Sequence, residues 1–172
     1  MKVSSLKRDC FSSPIQHQYR FENCINKNAQ AYNVAKNYAI HFDQMKEDNV
    51  GLLFYGDVGS GKTYLASSIA NYLIEEKLMR VRIMNLSQII NQIQKSAFKF
   101  DVNEIINTLS NIPLLILDDL GIERDTSGKV IRYSEYSKQT IKRICEKKYD
   151  WSVFEKERPI MNGATGTQNA IK

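Results

Sequence analysis

The sequence predicts an α/β domain of three layers, with helices on both faces of a parallel sheet, and two observations carry that prediction. Short apolar runs alternate with longer stretches whose apolar residues recur every three or four positions. A glycine-rich loop and a pair of aspartates each follow one of those runs directly. In such a sheet the carboxyl ends of the strands are where ligands bind.

The elements follow in chain order. The first twenty residues are polar, with Pro14 among serines and glutamines, and read as an arm or loop. From Asn28 to Met45, residues Ala29, Tyr32, Ala35, Tyr38 and Ala39 mark one face of a helix, which Glu47-Asp48-Asn49 breaks. Val50 to Tyr55 suits a strand buried on both faces. Thr63 to Glu76 is expected to be helical, with Leu65, Ile69, Tyr72 and Leu73 on one face and small Ala66 and Ala70 permitting close packing. Met79 to Met84 reads as a second strand, with Val81 and Ile83 pointing to one side. Ser87 is positioned to cap a helix carrying Ile89, Ile90 and Ile93, and Asp101 one carrying Ile105, Ile106 and Leu109. Pro113 ends the latter, and Leu114 to Leu117 form a third buried strand that finishes at Asp118-Asp119. The organisation expected is an arm and helix over residues 1–47, a core over 48–125, and a basic segment over 126–172.

The 172 residues amount to about one domain, and 42% apolar content suffices for one buried core. No apolar run approaches the roughly 20 residues that span a bilayer, and the basic N-terminus lacks the apolar stretch of a secretory signal. A cytoplasmic protein with no membrane partner is expected. Cys10, Cys24 and Cys145 are odd in number and lack paired metal-site spacing, so they read as reduced thiols. Residues 121–172 hold 11 Lys and Arg against 7 Asp and Glu, which is +4 of the chain's +5. Such an excess attracts a polyanion or serves as a solvated face; without a compact cluster the solvated face is the simpler reading.

Gly56-Asp57-Val58-Gly59-Ser60-Gly61-Lys62-Thr63 matches G-x-x-x-x-G-K-[ST] at every fixed position. The glycines permit positive φ and close backbone approach, so that consecutive N–H groups converge on phosphate oxygens. The helix beginning near Lys62 adds its partial positive charge. Lys62 is expected to reach the β- and γ-phosphates of ATP, and Thr63 to offer its hydroxyl to Mg²⁺. Leu114 to Asp119 has the Walker B form, an apolar strand with a carboxylate at its tip. Asp118 is expected at Mg²⁺, with Asp119 where a glutamate often polarises the attacking water.

With these motifs the chain resembles the DnaC/IstB family of AAA+ ATPases, which comprises helicase loaders and the helpers of insertion-sequence transposases. The likeness rests on Tyr19-Arg20-Phe21-Glu22-Asn23, the helix ending Tyr38-Ala39, the stretch from Gly51 to Ala66, and Leu114 to Arg124 with its Asp-Asp-Leu-Gly and Glu-Arg. It implies a P-loop NTPase fold of the AAA+ type, ATP hydrolysis with Lys62 and Asp119 as catalytic residues, and a role in DNA replication. The partners it implies are a replicative helicase of the DnaB kind or a transposase, single-stranded DNA, and further copies of the chain in an ATP-dependent oligomer. Beyond Asp125 the likeness fades. Asn162 is the nearest counterpart of a γ-phosphate sensor, and neither Arg124 nor Arg158 is assigned as an arginine finger. The expectation is a truncated or recombined loader, the product of a frameshift after about residue 125, in which nucleotide binding outlasts hydrolysis. A nucleotide-dependent interaction module with little catalysis is the alternative; a small-molecule kinase is disfavoured by the Asp-Asp-Leu-Gly tip.

Overall fold

A computed structural model describes residues 2–96, 102–118, 123–124, 130–131, 139–140 and 142–144. They form two compact units whose boundary falls between Val81 and Arg82.

The first unit is built around helix α4, Lys62–Lys77. Nine of its residues are buried, among them Ser67, Ser68 and Asn71 as well as Leu65, Ile69 and Leu73 of the face that the spacing predicts, whose Tyr72 is half-buried. A helix buried on more than one side must have neighbours on more than one side. These are α1 (Val3–Cys10), α2 (Gln30–Ile40) and two short 3-10 turns, Pro14–Gln18 and Phe21–Asn23. Helix α3 (Phe42–Glu47) continues from α2 through His41. Tyr32, Ala35, Tyr38 and Ala39 are the buried face of α2, in agreement with their spacing.

Two sequence expectations fail in this unit. The first twenty residues are not an arm or loop, because Leu6, Cys10 and Phe11 are buried and Lys7 is covered as it pairs with Glu75 on α4. Leu6 and Cys10, four residues apart, are the apolar stripe of a short helix that the surrounding polar residues obscure. Nor does Val50 to Tyr55 form a strand; only Gly51 makes a single bridge. The reason lies in the backbone of Val50. Its N–H donates to the Met45 carbonyl at 2.7 Å, after a turn through Asn49 at φ 56°, and its own carbonyl accepts from the Tyr38 hydroxyl at 3.2 Å. Both groups that would enter a ladder are taken by α2 and α3.

The second unit holds β1 (Val81–Asn85) and β2 (Leu114–Asp118) as neighbours in a two-stranded sheet. They are joined through α5 (Leu86–Ser96) and α6 (Val102–Ser110), the kind of long connection a parallel pair requires. Met84, Ile89, Ile93, Ile105, Ile106 and Leu109 form its core together with Ile144, and Leu115 and Leu117 pack against it. Along β2 only Leu114 is fully buried, so the strand is less enclosed than its four apolar residues suggest. Positions 139–140 and 142–144 are helical, and Arg143 donates to the Asn103 side chain at 2.5 Å. A two-residue pair, β3 (Glu123–Arg124) with β4 (Val130–Ile131), is antiparallel.

Helix α5 starts one residue before Ser87, and the cap is Asn85 rather than Ser87. The Asn85 side chain accepts from the Gln88 N–H at 2.8 Å, and the Gln88 side chain accepts from the Asn85 N–H at 3.0 Å. This reciprocal box satisfies two backbone donors at once. Asn85→Ala is therefore expected to lower stability by about 1 kcal/mol, and Ser87→Ala by no more than about 0.5 kcal/mol, as read from denaturant midpoints. Asp101, the cap expected for α6, lies outside the described residues. No described helix is long and apolar enough to cross a membrane.

Candidate functional site

The segment Gly56 to Thr63 folds as a single exposed loop running into α4. The Ser60 N–H donates to the Asp57 carbonyl at 3.2 Å, closing a turn across Val58 and Gly59. Gly59 has φ 82° and Gly61 φ 89°, values at which an L side chain is strained although open space surrounds both Cα atoms. The glycines are thus required by dihedral angle and not by crowding. Gly61 is the N-cap of α4, its carbonyl taking the first helical bond from the Leu65 N–H at 3.0 Å. Lys62 is the first helical residue and Thr63, half-buried, the second. The positive end of the α4 dipole lies at this first turn.

The Lys62 ammonium is folded back into the loop. It donates to the carbonyls of Gly56 at 2.9 Å and Asp57 at 2.8 Å, and lies 3.4 Å from the Ser60 hydroxyl. Those acceptors hold a cation at the centre of the loop, where a phosphate oxygen would be an equally good and fully charged partner. Val58, at 94% exposure, leaves the crest of the loop uncovered. Positive-φ glycines, a helix N-terminus and a centred ammonium together fit an oligophosphate.

Asp118 is the last residue of β2, half-buried, in the second unit. Asp119 lies outside the described residues, as do Arg158 and Asn162, while Arg124 pairs with Val130 in the β3–β4 ladder. The structure thus gathers Gly56, Asp57, Val58, Gly59, Ser60, Gly61, Lys62 and Thr63 into one loop and sets Asp118 at a strand end. Sequence reasoning gave no separate weight to Tyr64, the next residue along α4. Its ring lies against Tyr19, centroids 4.7 Å apart, and its hydroxyl donates to the Arg20 carbonyl at 2.8 Å. Partial burial raises the phenol above its usual pKa, so it remains a donor at neutral pH. The signal available was its place inside Gly51 to Ala66, one of the stretches that carry the family likeness, with Tyr19 and Arg20 in another.

A phosphate loop that ends a turn and opens a buried helix defines a P-loop nucleoside-triphosphatase fold. The chain's wider similarities agree. The family of the bacterial DnaA ATPase domain matches residues 15–138. A replicative helicase loader, DnaC, from Buchnera aphidicola subsp. Baizongia pistaciae is 31% identical over 118 residues, which is 66% of this chain and 43% of that protein. The replicative helicase loader DnaI of Bacillus subtilis strain 168 is 34% identical over 77 residues, 45% of this chain and 24% of the loader. A crystal structure from Streptococcus pyogenes serotype M3, described as a primosome component, superposes with a TM-score of 0.54 at 26% identity, covering 86% of this chain and 76% of that one. The chain belongs to the AAA+ ATPases, in the group that holds the DnaA ATPase domain and the DnaC-like helicase loaders. It spans less than half the length of the curated loaders it matches.

Proposed function

We propose that this chain is an ATP-binding protein of DNA replication that works as a helicase loader does, coupling ATP binding to engagement of single-stranded DNA and a replicative helicase. The observation that carries the reading is the loop from Gly56 to Thr63, with Gly59 and Gly61 at positive φ and Lys62 opening α4. In this reading the backbone N–H groups of Gly59, Gly61 and Lys62 receive the phosphates, that of Ser60 joins them on leaving the Asp57 carbonyl, and the Lys62 ammonium exchanges the Gly56 and Asp57 carbonyls for phosphate oxygens. By their motifs, Thr63 and Asp118 are the residues that would hold Mg²⁺, which would neutralise charge on the phosphates. Asp119 orients a water, its side chain one carbon shorter than the glutamate common at that place. The partner is a replicative helicase, by similarity to DnaC and DnaI, and the compartment is the cytoplasm.

The test is retention of a labelled single-stranded oligonucleotide by the purified chain. ATP with Mg²⁺ is expected to increase retention, and rising salt to abolish it as phosphate contacts are lost. Equal retention with and without ATP contradicts the loader reading.

A further inference from the structure

Residues 14–24 lie along α4 and are fastened to it at three levels. At its first turn, Tyr64 stacks on Tyr19 and donates its hydroxyl to the Arg20 carbonyl. At its middle, the Asn71 amide donates to the carbonyls of Gln16 and Tyr19, both at 2.8 Å. Towards its end, the Glu75 carboxylate accepts from the Arg20 guanidinium and from the Lys7 ammonium of α1. Arg20 is therefore held twice, by its carbonyl near the start of the helix and by its side chain near the end. Several of these bonds grip the main chain of the segment and so fix its register, not merely its proximity.

The uppermost fastening sits beside the phosphate loop. Tyr64 follows Lys62 and Thr63 without a gap, and the turn they share is closed by the Leu65 to Gly61 bond. Lys62 meanwhile spends its ammonium on the Gly56 and Asp57 carbonyls. An ammonium that turns to a phosphate must release those carbonyls, and the loop that held it must re-form around the ligand. The turn that anchors Tyr64 is the same turn that receives the phosphate.

We propose that residues 14–24 form a strap whose seating on α4 is coupled to what the P-loop holds, with Tyr64 as the connecting side chain. This rests on the nucleotide reading given above. A phosphate held at the first turn fixes the rotamer of Tyr64 and thereby tightens the strap. Because binding couplings are reciprocal, a seated strap tightens nucleotide binding by the same factor. A partner that lifts the strap would then release nucleotide, and a partner that presses on it would retain it.

Amide hydrogen exchange over residues 14–24 in the full chain tests this, with ATP binding measured by calorimetry on the same sample. Saturating Mg²⁺-ATP is expected to slow exchange there about fivefold or more, the lower end of common coupling energies. Tyr64→Phe, which keeps the ring and loses the bond to Arg20, is expected still to bind ATP saturably, with the slowing reduced to below about twofold. Tyr19→Leu, which loses the ring contact from the strap side, is expected to reduce it likewise. ATP binding without slowing in the wild-type chain overturns the coupling alone, as does full slowing in both variants. Absence of ATP binding removes the nucleotide reading and the coupling with it.

Discussion

Lys62→Ala is expected to weaken ATP binding by about 10- to 100-fold while leaving the melting temperature of the ligand-free chain nearly unchanged. The first half follows from the ammonium's task. Hydrogen bonds to charged groups contribute about 1.5–3 kcal/mol net, and each 1.4 kcal/mol is tenfold in affinity. The second half follows from where the ammonium now rests. Its bonds to Gly56, Asp57 and Ser60 are exposed, and water replaces an exposed donor at little cost. A large loss of stability in this variant would mean that the lysine is structural. Titration of nucleotide together with thermal melting of the ligand-free variant separates the two.

Asn71→Ala is expected to do the reverse, lowering stability by about 2–4 kcal/mol through contacts far from any phosphate. The Asn71 side chain is 1% exposed, and its amide serves the carbonyls of Gln16 and Tyr19 besides that of Ser67 one turn back. A buried carbonyl that loses its donor costs about 1–3 kcal/mol; the Tyr19 carbonyl loses the Asn71 amide and the Gln16 carbonyl keeps only the Tyr19 N–H at 3.3 Å, while the bond to Ser67 goes too. At about 2–4 °C per kcal/mol for a chain of this size, the melting temperature should fall by roughly 5–15 °C. Asn33→Ala, at an exposed position of α2, should change it little. Asn71 is an expensive residue to keep. Its carbonyl oxygen and the Ser67 hydroxyl are buried without partners, which identifies the two bonds to the strap as what it is retained for.

Much of this was legible in the chain itself, and the exceptions share a cause. The face of α2 and the extent of α4 follow from apolar spacing, because a helix buried along one stripe displays that stripe. The phosphate loop was legible for a different reason: its glycines answer to backbone angles that only they adopt without strain. Val50 to Tyr55 was misread because an apolar run states that a segment is half-buried, not what its backbone bonds to. Only the structure reveals that Tyr38 and Met45 occupy the Val50 carbonyl and N–H. Helix α1 was missed because Lys7 is buried by an ion pair whose partner, Glu75, lies 68 positions away. Asn85 was overlooked as a cap because it also ends a strand, and one residue can do both. In each case the deciding partner belongs to another element or the residue serves two elements at once. Of the candidate site, the loop was readable to the residue; the part played by Tyr64 was not, since its partners Tyr19 and Arg20 stand more than forty positions upstream.

The most direct measurement of the central claim is a calorimetric titration of the wild-type chain with ATP and with AMP, each in the presence of Mg²⁺. On the proposal that the loop from Gly56 to Thr63 grips the outer phosphates, ATP should bind saturably at one molecule per chain and at least about tenfold more tightly than AMP, the equivalent of one charge-assisted contact. Equal affinities for ATP and AMP, or no saturable binding of ATP, would contradict the account.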